Sequence, residues 1–153
     1  MRGSVTVQMA ASPEVVWDLV SDVTRIGEFS PETFEARWTR GSTGPEVGAY
    51  FKGHVRRNGI GPVYWTLCRV TECVPQRDFG FVVVVNDLDL NHWRYQLREV
   101  DGGTEVTESF ELAGKGFLKL YWALLGPLRG RTNERGMRRT LERIKAIAEG
   151  VPA

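Results

Sequence analysis

The chain is poor in the side chains that carry reactive chemistry, with two cysteines and two histidines in 153 residues. Cys68 and Cys73 fall on one expected strand, and their spacing places them on opposite faces, where they do not bridge. They also lack the spacing of a zinc site. Unpaired cysteines fit a reducing, cytoplasmic setting. An excess of one charge is missing too. Twenty Lys and Arg stand against 19 Asp and Glu, a net charge of +1, so nucleic acid, which calls for a strong basic excess, is not an expected partner. No long apolar run occurs. The most apolar helical stretch, Phe117 to Leu128, is interrupted by Lys119, Gly126 and Pro127 and is far shorter than the roughly 20 residues that span a bilayer. Arg2 is followed by a polar alternation rather than by a signal-peptide core, so no targeting segment is expected. The glycines form no strand–loop–helix phosphate motif. Asp87 and Asp89 sit in a turn with no calcium-loop glycine or distal glutamate after them. Neither a cofactor nor a metal is expected.

What is present is a globular composition, 42% hydrophobic and 25% charged, in a chain long enough to bury a substantial core. Val5, Val7 and Met9 alternate with polar residues, as in a strand with one buried face. The period then changes. Ser12 suits an N-cap, Pro13 the first helical position and Glu14 the positive end of the helix dipole, and Val16, Leu19, Val20 and Val23 form one stripe. A second short helix is expected from Val23 to Phe29, capped by Asp22 and stopped by Ser30-Pro31.

From Thr33 the period returns to two through six strands. Their turns lie at the polar loop Gly41 to Gly48, at Asn58-Gly59, Pro75 to Asp78, Asn86 to Asp89, and Asp101 to Gly103. After Gly116 the pattern is helical. Phe117, Tyr121, Leu124, Leu125 and Leu128 make one stripe and Met137, Leu141, Ile144 and Ala148 another, with a break expected at Gly126-Pro127. The reading is α+β: seven antiparallel strands, two short helices after the first strand, and a long C-terminal helix.

The segment Ala11 to Asp22, the strand end Arg69 to Pro75 and the helical stretch Arg138 to Lys145 resemble the helix-grip fold of the START/Bet v 1-like (SRPBCC) superfamily, and within it the polyketide cyclase/dehydrase family. The resemblance runs over nearly the whole chain. It implies one helix-grip domain over 1–153, a curved seven-stranded sheet gripping the last helix, and a cavity between them. Members of the family include cyclases, lipid and hormone carriers, and proteins without known activity, so the resemblance does not assign a reaction.

With that fold, the residues assigned inward are Phe34, Trp38, Phe51, Trp65, Phe81, Trp93, Tyr95, Phe110, Tyr121 and Trp122. They form either an ordinary aromatic core or the wall of a pocket for a hydrophobic small molecule. Glu108 sits between Val106 and Phe110 on the apolar face of the last strand, where an unpaired carboxylate is costly. Four readings stay open for it: a general acid/base with a raised pKa, a ligand contact, an ion pair with Arg69, or a strand slip that turns it outward. His54 and His92 alternate with Lys52, Arg56 and Arg94 and belong on the outer face. The arginines Arg129, Arg131, Arg135, Arg138, Arg139 and Arg143 make either the solvated face of a packed helix or a basic surface for peripheral membrane contact. The functional expectation is a binder of a lipid, polyketide or aromatic/isoprenoid molecule. The alternatives are a metal-free cyclase/dehydratase using Glu108, and a regulatory or toxin-like partner acting through the arginine-rich helix.

Overall fold

The computed structural model describes residues 2–56, 63–112 and 134–150. Strand β1 (Arg2–Met9) is followed by helix α1 (Pro13–Ser21), a 3-10 helix (Val23–Glu28), and strands β2 (Thr33–Thr39), β3 (Tyr50–Val55), β4 (Tyr64–Val74), β5 (Asp78–Val85), β6 (Leu88–Val100) and β7 (Gly103–Leu112). Helix α2 occupies 134–148. The strands form one antiparallel sheet in the order β1-β7-β6-β5-β4-β3-β2. The first two strands are therefore its opposite edges, and α1 with the 3-10 helix carries the chain between them.

The two short helices start where their sequence says they should. The Ser12 hydroxyl accepts from the Val15 N–H at 3.3 Å, and Asp22 accepts from the Thr24 N–H at 3.0 Å. Val16, Leu19 and Val20 are buried, and Trp17 meets Phe79 edge-on at 6.1 Å, which fixes α1 against the sheet. On α2, Met137, Leu141 and Ile144 are buried at i, i+4 and i+7, each contributing on the order of 1.5–3 kcal/mol. That stripe faces the sheet, while Arg135, Arg138, Arg139 and Arg143 are exposed. The Ala10 N–H donates to Glu149 Oε2 at 2.7 Å, tying the end of α2 to the turn after β1.

Three register shifts interrupt the sheet, one of them between Val83 and Val84 where β5 pairs with β6, and the other two move residues from their expected faces. The register shifts between Thr33 and Glu35 in β2, and Phe34 turns to the outer face, 46% exposed. A second shift, between Val70 and Glu72 in β4, brings Cys68 and Cys73 to the same face, opposite Val83 and Phe79. The expected opposite-face placement of the cysteines is thus corrected, and both are free. Trp65 is also corrected. It lies on the outer face, 39% exposed, stacked on His54 at 4.1 Å and beneath the Arg37 guanidinium at 4.7 Å. Its aromatic surface is covered without entering the core. At the β5–β6 hairpin, Asn86 and Asp87 take positive φ of 52° and 63°, the conformation that matches the strand twist in a two-residue turn. The expected turn at Asn58-Gly59, the stripe Phe117 to Leu128, the break at Gly126-Pro127, and Tyr121, Trp122, Arg129 and Arg131 lie outside the described residues.

Candidate functional site: a ring-sized cavity with a buried carboxyl

A cavity of about 160 Å3 lies between the sheet and α2. Phe51 from β3, Phe81 from β5, and Trp93 and Tyr95 from β6 stand on its wall, with Glu108 from β7. Alternation puts these side chains on one face, and the antiparallel register sets Tyr95 directly opposite Glu108. Met137 and Thr140 of α2 close the other side, and Ile26, Ser30 and Pro31 form part of the rim near the start of β2.

The other expected wall residues fall elsewhere. Trp38 packs edge-on behind Phe51 at 5.8 Å, and Phe110 lies 5.5 Å from Trp93 in the core. Phe34 and Trp65 point away, as described above. Thr66 and Cys68 take the place assigned to Trp65. The available signal was Arg69, which shares a parity with Trp65 and is more at home in water. Thr140 and Asn91 were not anticipated either. Thr140 lies one turn beyond Met137 on the buried stripe, so its position was readable from helical period alone.

Glu108 is 4% exposed, and its Oε2 is buried without a hydrogen-bond partner. The ion pair with Arg69, one of the four readings left open, does not form: Arg69 lies across the sheet from it and donates to Asp89 Oδ2 at 2.8 Å. The register also excludes the strand slip. Burial pushes the Glu108 carboxyl up to about 8, and the Tyr95 hydroxyl, its hydrogen-bond partner, moderates the rise. The same burial, with Glu108 beside it, raises the Tyr95 phenol well above its ordinary value. Burial pushes the Cys68 thiol up to about 12, so it stays protonated and is a poor nucleophile.

The neighbouring hydroxyls are committed to the backbone. Thr66 Oγ1 donates to the Gly53 carbonyl at 3.3 Å and Thr140 Oγ1 to the Gly136 carbonyl at 2.8 Å. Both histidines are on the outer face as expected, His54 bonded to Glu35 at 2.8 Å and His92 to Glu72 at 2.6 Å. No group of three or more metal-ligating side chains occurs among the described residues.

Solved structures share this architecture. The protein CV1439 of Chromobacterium violaceum is 17% identical with a TM-score of 0.73, over 100% of this chain and 99% of that one. The di-domain ARO/CYC StfQ of the steffimycin biosynthetic pathway is 18% identical with a TM-score of 0.68, over 96% of this chain and 44% of that one. The polyketide-cyclase-like protein Cgl2372 of Corynebacterium glutamicum is 30% identical with a TM-score of 0.54, over 97% of this chain and 85% of that one. No curated protein matches the chain. The family model described as polyketide cyclase / dehydrase and lipid transport matches residues 2–149, and the protein belongs to that family.

Proposed function

We propose that the protein binds a compact hydrophobic molecule, of lipid, polyketide or aromatic type, between the sheet and α2. The observation that carries this reading is an aromatic-walled cavity whose lining includes Glu108, a carboxyl with its Oε2 buried and without a hydrogen-bond partner. A buried polar atom left unpaired costs about 1–3 kcal/mol, and a ligand that bonds it recovers that cost. The volume sets the scale: about 150 Å3 holds a benzene ring, whereas drug-sized ligands occupy roughly 300–1,000 Å3. The described walls therefore suit one ring or a short acyl segment. Native mass spectrometry of protein purified from its own cells is expected to carry a hydrophobic small molecule. Protein that arrives empty, and whose Met137 methyl resonance does not move with neutral one-ring compounds, would overturn the reading.

A cyclase or dehydratase is the second reading, favoured by a carboxyl that exchanges its proton near neutral pH. Glu108 would move protons beside a ketone while the cavity holds the reacting carbons together. Glu108→Gln is then expected to abolish turnover and to leave neutral ligands bound. Turnover that survives in Glu108→Gln sinks this mechanism.

A further inference from the structure

The acidic groups that the described residues bring to the cavity wall are Glu32 at the rim and Glu108 inside, and no Lys, Arg or His stands among the described lining residues. The titratable groups near Glu108 on the wall are Tyr95 on β6, its hydrogen-bond partner, and Cys68 and Tyr64 on β4; burial disfavours the ionised forms of Tyr95 and Cys68. From α2 come Gly136, Met137 and Thr140, none of them titratable. An anionic head group has no described partner here and would sit against a carboxyl. A protonated amine finds both of its usual complements, a carboxylate oxygen and aromatic faces.

Resting on the binding reading above, we infer that the ligand is a one-ring hydrophobic amine, its ammonium held by the Glu108 carboxyl and its ring packed among Phe51, Phe81 and Trp93. Such a ligand turns the orphaned oxygen into half of a buried ion pair, the arrangement in which a buried charge is tolerated. The proton count follows. Before binding, Glu108 holds a proton at neutral pH, because burial raises its carboxyl to about 8. The amine enters as an ammonium and keeps its proton, so the Glu108 proton leaves to solvent. A ketone or an alcohol releases none.

The test is a matched series of benzylamine, benzyl alcohol, acetophenone and benzoate, titrated at pH 7 by calorimetry in two buffers of different ionisation enthalpy. Benzylamine is expected to bind about tenfold or more tighter than benzyl alcohol, as a hydrogen bond to a charged group allows. Its apparent enthalpy should depend on the buffer through release of close to one proton. Benzoate should bind least. Glu108→Gln should remove the amine preference, bringing benzylamine and benzyl alcohol to similar affinities. The proton release is read on the wild-type protein, so the inference stays testable if that variant does not fold. Equal binding of benzylamine and benzyl alcohol, or benzylamine binding without proton release, overturns the amine inference and leaves the binding reading standing. Failure of all four compounds to bind overturns both.

Discussion

A buried carboxyl bonded to Tyr95, with its Oε2 unpartnered, holds its proton more tightly in the folded chain than in the unfolded one. Between its ordinary value of 4.5 and about 8, the folded protein therefore binds the extra proton, and stability falls as pH rises through that window. The contribution is fully present below pH 4.5 and lost above about 8, with a slope of at most about 1.4 kcal/mol per pH unit. Urea midpoints are expected to decline from pH 5 to pH 9 in the wild type and to be flatter in Glu108→Gln, which overtakes the wild type at alkaline pH. Parallel curves for the two proteins would mean that Glu108 ionises as an ordinary glutamate. The Val106–Glu108–Phe110 alternation pointed to the inner face but left a strand slip open, and the regular pairing of β6 with β7 decides it. The partner of Glu108 was not legible in sequence. Arg69 looked available only while Trp65 was taken as an inward residue, and the two share a parity.

At the scale of elements, α2 illustrates how helical period survives into structure. Met137, Leu141 and Ile144 were expected on one stripe and are buried on one stripe. Leu141→Ala is expected to cost about 2–5 kcal/mol, while Arg139→Ala, exposed on the opposite face, should stay within about 0.5 kcal/mol. Chemical denaturation of both variants checks the pair, and equal losses would argue that α2 is not seated as described. The approach of the 3-10 helix to β2 is decided at Gly27. A Cβ there would collide with the Phe34 carbonyl, a backbone atom that cannot swing aside. Gly27→Ala is expected to cost about 1–3 kcal/mol and to shift resonances of Ile26 and Ser30 at the cavity rim. A neutral effect would show that this rim yields. Strands were less legible than helices because each bulge inverts every side chain beyond it, and nothing in the local residues of β2 announces the extra one.

On the whole molecule, the proposed binding of a ring-sized ligand is expected to register as a gain in stability. A neutral ring-sized compound at about 100 times its Kd should stabilise the protein by about 2.7 kcal/mol, visible as a rise in Tm. Filling the space with Cys68→Phe, whose side chain would project into the same cavity, is expected to abolish that rise. If the variant still responds, the ligand binds elsewhere.

The order of elements, the caps of both short helices, the seven strands and the buried stripe of α2 were determined by the sequence itself, because each depends on residues close together in the chain. The tertiary structure decided which aromatics meet. Phe51, Phe81, Trp93 and Tyr95 share a wall with Glu108, while Phe34 and Trp65 do not. The physical reason is that a wall is built across strands. It depends on register, and register is set by pairing and bulges over distances that no local pattern of residues records.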